Sequence, residues 1–483
     1  MFRICYLFVS VLSLCLFQSC QKNQSPDVTI LISGRMNGNV YPLELHEISP
    51  LQHYPYLSGY VKQVRAEAES QGTQVLLFDS GDSLGGSFAA HATQSENMAT
   101  FFNHLKYDAL FLGNLDANLS GSQLKKIESP VLTPFMNRDQ VAIPNGMKPV
   151  HYLQKEGMKI MLAANFYGTI PSSEYPQRFP LWFGKYNQPV LPIRDYQKWL
   201  KPDLAADLHL RHWMKFTGEP QPSAGETDLL DSIHADIVMA HKVYQGKART
   251  TWQHRNYSKW PVPVVENILR VNKGFSLARI DLKKTPTGWF ATSAPRLVQM
   301  TANTAPADET LLAELSPLAN RIKQADQQLG QIGVELSKAE LLAGYMNTLT
   351  RIEGTNAIVC SLNSIRDTIE PGPLSASRLF NAIPWTTDLE ILTMTREQFA
   401  KVEDLSELVI LHQKALPDTI RVTASRFFSR LIQQELELSD EQITQLGTKG
   451  EFDFLVTYLK KNGASTLEKI ETPDGWIIKG AMK

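Results

Sequence analysis

Two apolar runs end in residue types that hold divalent metals. Residues 76–83 read LLFDSGDS and residues 107–116 read YDALFLGNLD, so one strand runs into Gly81-Asp82 and another into Gly113-Asn114. A third run, DIVMAH (236–241), ends on His241. A carboxylate, a carboxamide oxygen and an imidazole at strand ends suit a site of two cations ~4 Å apart, which clamps the attacking and leaving oxygens of a phosphate ester. Leu115 stands where such a site wants a histidine for the leaving oxygen, a role often worth ~10²–10⁴ in rate. The frame points to hydrolysis and the donor set points away from it.

Strands must carry these loops. From Val28 to about Val298, short apolar runs alternate with helical segments: VTILIS (28–33), VLLF (75–78), ALFLG (109–113), KIMLAANF (159–166) and DIVMAH, with helices over 60–69 and 96–105. That alternation implies an α/β layered domain whose ligand loops lie at the carboxyl ends of strands. His91, His104 and Asp116 lie in or beside the right loops to replace missing ligands. His209 and His212, at i, i+3 in DLHLRHW, would face one way on a helix, and are read as ordinary histidines. Residues 168–200, rich in proline and aromatics, predict a long packed loop over a site or against a partner.

The segment DETLLAELSPLANRIKQADQQL (308–329) has helical periodicity, closes at Gly330, and is broken by Pro317 with Ser316 as a fresh N-cap. It is assigned as a connecting helix over 306–330. A helix over 336–352, strands over 356–362 and 389–394, and FDFLVTYL (452–459) as a late buried strand then build a second domain over 331–483.

A formal net charge of -1 excludes a strongly basic nucleic-acid binder. Arg3 followed by the apolar stretch Tyr6–Phe17 is too short for the ~20 residues of a spanning helix, so residues 1–19 read as a signal peptide. The run ends in LFQSC, which resembles a bacterial lipobox with Cys20 as the lipidated residue and 20–27 as a polar tether. The expected location is the bacterial cell envelope, lipid-anchored to the membrane. Once Cys5 and Cys15 leave and Cys20 carries lipid, Cys360 in AIVCSL is the remaining thiol, read as a buried structural cysteine.

Taken in order, the motifs resemble the 5′-nucleotidase family of calcineurin-like metallophosphoesterases over nearly the whole mature chain. In that family the first strand ends in an Asp-x-His ligand pair; VTILISGRMNG (28–38) keeps the register but carries Arg35 and Asn37 in those places. Gly81-Asp82 matches, with LGGS after it. Gly113-Asn114-Leu115-Asp116 replaces Gly-Asn-His-Glu, and Ala240-His241-Lys242-Val243 replaces Gly-His-x-His; PVPVVENILRVNKGFSLARIDL (261–282) resembles the strand pair that follows. The family's remaining ligand histidine has no match. In the second domain Ser361-Leu362-Asn363-Ser364-Ile365-Arg366 resembles the nucleotide loop without its glycines, and EPGPLSASRLFNAIPW (370–385) puts Trp385 at a base-stacking position. Tyr458 is the candidate for the opposite ring, and Asn462-Gly463-Ala464 lacks a family carboxylate.

The resemblance implies a four-layer metallophosphoesterase-like β-sandwich with helices over 28–300, a connecting helix, then a smaller α/β nucleotide-binding-type domain. It implies residual metal ligands Asp82, Asn114 and His241, and substrate contacts Arg366, Trp385 and Tyr458. Arg35 opposes a cation: at an effective dielectric of ~20, a unit charge ~4 Å from another costs about 4 kcal/mol. The expectation is lost or greatly reduced hydrolysis, no cofactor, and action by binding a nucleotide, another phosphorylated ligand or an envelope protein partner. The alternative is an active phosphomonoesterase with a remodelled site using Mn, Zn, Co or Mg.

Overall fold

The computed structural model describes residues 26–42, 45, 53–113, 116, 119, 121–133, 135–136, 147–167, 191–192, 206–215, 237–242, 264–266, 276–286, 288–293, 296–405 and 408–480. Residues 1–25, with the expected signal segment and Cys20, the loop residues Asn114 and Leu115, and the 168–200 excursion apart from Leu191–Pro192 lie outside them. Among the described residues no helix is long and apolar enough to cross a membrane.

The first strand shows why the first domain is layered. Every residue of β1 (Val28–Ser33) is buried, as befits a strand covered on both faces. Successive side chains leave a strand on opposite faces. Ile30 and Ile32 enter one apolar cluster and Leu31 another; Leu76 and Phe78 of β2 (Gln74–Asp79) separate from Leu77 in the same way. The sheet runs β13 (Gly288–Ala291), β12 (Ser276–Thr285), β1, β2, β3 (Ala109–Phe111), β4 (Val131–Leu132), with β14 (Arg296–Gln299) also on β12. From β1 to β4 the pairing is parallel.

On one face lie α1 (Tyr54–Gln71) and α3 (Glu96–Leu105), sharing a core with Leu31 and Leu77; the short α2 (Phe88–Thr93) falls between them in sequence. The other face packs Ile30, Phe78 and Ile280 against Ile160, Leu162, Leu208 and Leu210 of a second sheet. That sheet is ordered β11 (Val264–Glu266), β10 (Ile237–Lys242), β9 (Leu208–Lys215), β7 (Met158–Tyr167), β6 (Val150–Lys155). Thus β11 and β12, expected from the resemblance as a pair, belong to different sheets. Two residues of the 168–200 excursion, Leu191–Pro192 (β8), pair with Phe135–Met136 (β5).

The connector breaks into two helices at Pro317, as the proline requires, and ends short of residue 330. It forms α4 (Glu309–Leu315) and α5 (Leu318–Ala325), ends before Asp326, and leads into β15 (Gln328–Ile332), which contains Gly330. Ser316 keeps helical φ/ψ with its N–H on Leu312 O and is no N-cap; Pro317 itself takes the N-cap of the next helix, where its missing N–H leaves no helical bond unmade. The cap that matters is Asp308, whose carboxylate accepts from the N–H of Thr310 and Leu311. It also takes Lys62 Nζ at 2.7 Å, His104 Nε2 at 2.8 Å and the Ser58 hydroxyl. Burial opposes its charge, yet these bonds hold Asp308 well below the usual carboxylate range. The connector is thereby pinned to α1 and α3.

The second domain has a six-stranded sheet ordered β21 (Ile443–Gly450), β18 (Asp388–Thr395), β20 (Thr419–Ser425), β16 (Ala357–Cys360), β19 (Val409–Gln413), β22 (Trp476–Lys479). A short ribbon, β15 with β17 (Gly372–Ser375), lies beside it. Helices α6 (Lys338–Leu349), α7 (Ala376–Ala382) and α10 (Glu451–Asn462) pack on one face, α8 (Arg396–Glu403) and α9 (Arg426–Glu435) on the other. The predicted strand 452–459 is helix α10. Phe452, Leu455 and Leu459 form its buried stripe, Glu451 and Asp453 stand in its first turn, and Lys460 and Lys461 in its last, the arrangement the helix dipole favours.

Candidate functional site

In-register pairing of β1 with β2 sets Ser33 beside Asp79, so the loops after these strands emerge together. Four main-chain bonds zip them: Ser80 N–H to Ser33 O at 2.8 Å, Arg35 N–H to Gly81 O at 2.7 Å, Asn37 N–H to Asp82 O at 2.9 Å and Gly38 N–H to Ser83 O at 2.8 Å. Arg35, Asn37 and Asp82 all sit in the left-handed region at φ 53, 50 and 55. That conformation is uncommon outside glycine and marks functional or tightly constrained loops. The two loops therefore form one tightly bonded backbone cradle, with Arg35 and Asn37 at the positions where the resemblance would put metal ligands.

The two glycines are explained by contact. A Cβ on Gly113 would lie 2.1 Å from Asp82 Oδ1, and one on Gly81, at φ +96, would lie 2.5 Å from Gly113 N. The loop after β2 and the loop after β3 therefore touch backbone to backbone. Asp116 braces them: its Oδ2 accepts the N–H of Asp82 at 2.6 Å and of Gly113 at 2.9 Å, and its Oδ1 accepts Leu84 N–H at 2.7 Å. Burial, then the nearby Asp82, raises the Asp116 carboxyl above its ordinary range.

Beneath lies a second buried carboxyl. Asp79 accepts Ser33 Oγ at 2.7 Å, Ser83 Oγ at 3.0 Å and Gly81 N–H at 2.9 Å, and burial pushes it up to about 7 against these bonds. Asp82 itself is only 2% exposed.

The proposed substitute ligands are occupied elsewhere. Asp116 is the brace, His104 holds the connector between Asp308 and Glu314, and His91 lies among aromatic rings of the second domain. His209 and His212 lie on strand β9, not a helix, so their odd spacing places them on opposite faces. His212 is the residue the sequence reading undervalued. It is buried, stacks on Phe111 at 4.9 Å, and its Nε2–H donates to Ser80 O at 2.8 Å, directly under the loop that carries Asp82. The visible clue is that Leu208, Leu210 and His212 alternate along one buried face.

His241 lies in β10 with Met214 of β9 as its register partner, and Asn114 lies outside the described residues, so the three expected metal ligands are placed only in part. Among the described residues no group of three or more His, Cys, Asp or Glu could hold a metal ion. Among the described residues the donors do not make a two-metal centre: Arg35 and Asn37 stand where the resemblance would put the first ligand pair, and both Asp116 oxygens accept backbone N–H groups.

In the second domain two of the three expected contacts come together. The Arg366 guanidinium lies 5.9 Å from the Trp385 ring centroid, and its Nη1 donates to Gly86 O at 3.2 Å, in the glycine-rich loop after Asp82. The Trp385 indole N–H donates to Ser364 O at 2.6 Å, which fixes the ring to the 361–366 loop. Tyr458 stacks on Phe454 at 6.3 Å, one helical turn away on α10.

No family model matches the chain, and no curated protein sequence matches it. Solved structures do. The 5′-nucleotidase precursor of Thermus thermophilus superposes with a TM-score of 0.61 at 15% identity, over 90% of this chain and 96% of that one. A putative 5′-nucleotidase of Staphylococcus aureus gives 0.61 at 13%, over 92% and 98%. The sulfate thiohydrolase SoxB of Thermus thermophilus gives 0.57 at 12%, over 91% and 94%. Two different activities on one architecture mean that the architecture does not choose the substrate. Over 90% of its length, this chain has the two-domain fold of the 5′-nucleotidases.

Proposed function

We propose that this is a lipid-anchored envelope protein that keeps the 5′-nucleotidase fold, has lost or greatly reduced metal-dependent hydrolysis, and acts by binding a phosphorylated ligand such as a nucleotide. The observation that carries this reading is the state of the cradle. Its backbone is left-handed at residues 35, 37 and 82, and the side chains at 35 and 37 are those of arginine and asparagine. A cradle with cationic character suits an anion better than a second cation. Arg366 and Trp385 supply a guanidinium and a π face next to the Gly86 loop, a pairing suited to a phosphate and a base.

Calorimetric titration of AMP and of inorganic phosphate into the metal-free protein tests the binding role. AMP is expected to bind, and Arg366→Ala to weaken it by about tenfold or more, the scale of one charge-assisted hydrogen bond. Absence of binding by both ligands contradicts the proposal. For the anchor, Cys20→Ser is expected to release the chain from the membrane fraction; unchanged sedimentation with membranes contradicts lipidation at that residue.

A further inference from the structure

Helix α2 (Phe88–Thr93) belongs to the first domain by sequence, yet its apolar face is buried in the second. The Phe88 ring meets Phe380 of α7 at 6.0 Å and Phe452 of α10 at 6.4 Å, both edge to face. One turn along, His91 stacks on Phe380 at 5.3 Å and meets the edge of Phe452 at 5.2 Å, with Nε2 3.5 Å from Asp453 Oδ1. Tyr41, Leu45 and Phe88 of the first domain share one buried cluster with Phe380, Phe452 and Leu455 of the second.

The opposite side of α2 is fastened to its own domain. Ser87 caps the helix by accepting Ala90 N–H at 3.1 Å and donates its hydroxyl to Gly38 O at 2.6 Å. Asn97 Nδ2 donates to the same Gly38 carbonyl at 3.1 Å and to Val40 O at 2.7 Å. At Gly38, with φ +72, a Cβ would come within 2.6 Å of the Ala90 Cβ, so the helix lies directly on the cradle loop. Both ends are bolted by arginines: Arg366 reaches Gly86 O just before α2, and Arg321 of α5 reaches Thr93 O at 3.3 Å and Glu96 Oε2 at 2.7 Å just after it.

Domain pairs that move freely meet through small polar interfaces, whereas separating a shared apolar core exposes aromatic surface to water. We infer that the two domains form one rigid body, with α2 as the wedge that fixes their angle. The Gly86 loop and the Arg366–Trp385 pair then keep one relative geometry with and without ligand. This inference stands apart from the binding reading, because it concerns the resting arrangement of the chain alone.

Double electron–electron resonance on the full mature chain tests it, with nitroxides on Glu69→Cys of α1 and Lys401→Cys of α8, both exposed positions. The expected result is a single narrow distance distribution that AMP leaves unchanged. A broad or two-peaked distribution, or a shift with AMP, overturns the rigid body. Phe88→Ala is expected to broaden the distribution. Phe380→Leu, which keeps a large apolar side chain but loses the stack on His91, is expected to do so to a smaller extent and serves if the first variant does not fold. A distribution as narrow as the parent's in a folded variant overturns α2 as the wedge.

Discussion

Replacing Asp116 by alanine is expected to destabilise the protein by about 3–5 kcal/mol, from a total that for natural domains is only ~5–15 kcal/mol. Three buried N–H groups, those of Asp82, Leu84 and Gly113, lose their acceptor at once. Leaving a buried donor unsatisfied costs about 1–3 kcal/mol, and water entering the gap recovers part of the sum. Asp116→Asn keeps one oxygen acceptor and removes the repulsion with Asp82, so about half that loss is expected. Urea unfolding monitored by tryptophan fluorescence measures both. A stability for Asp116→Ala within about 0.5 kcal/mol of the parent, the range of neutral surface changes, contradicts the brace.

Stability is also expected to fall as pH rises from about 5 to about 8, and Glu451→Gln to flatten much of that fall. Glu451 is buried at the head of α10, and its carboxyl takes the Tyr345 hydroxyl at 2.5 Å. Burial pushes it up to about 7, from an ordinary value of 4.5. The folded state thus favours the protonated acid. Below pH 4.5 both folded and unfolded chains carry the proton and nothing is lost. Between 4.5 and 7 the unfolded chain ionises first, and each unit costs about 1.4 kcal/mol, so Glu451 removes about 3 kcal/mol by pH 8. Asp79 contributes with the same sign. Glutamine can still accept from Tyr345 and cannot ionise. Thermal or urea unfolding across this range reads the slope; parallel pH profiles for parent and variant contradict the assignment.

Much of the frame was legible in the sequence because it depends on local rules. The alternation of Ile30, Leu31 and Ile32 between two cores follows from strand geometry, and the glycines before Asp82 and Asn114 mark backbone contact between loops. One error came from reading apolar content without its flanks. FDFLVTYL has the acid-first, lysine-last charge order and the 452/455/459 spacing of a helix. DLHLRHW has the period of a strand, which removes the His209–His212 pair as a shared ligand set. What no local pattern could give is long-range partnership. Asp116 reaching back to Asp82 and Leu84, His212 under Ser80, and Phe88 among rings near 380 and 452 all depend on assembled tertiary structure.

The central claim is that the cradle no longer supports metal-dependent hydrolysis. Its most direct test is turnover of AMP and of a generic phosphate monoester by the purified mature chain in Mn²⁺, Zn²⁺, Co²⁺ or Mg²⁺. The expected rate lies far below ~1 s⁻¹, the lower end of ordinary enzymes, and is unchanged by Asp82→Ala. Metal-dependent turnover above ~1 s⁻¹ that Asp82→Ala abolishes would contradict it.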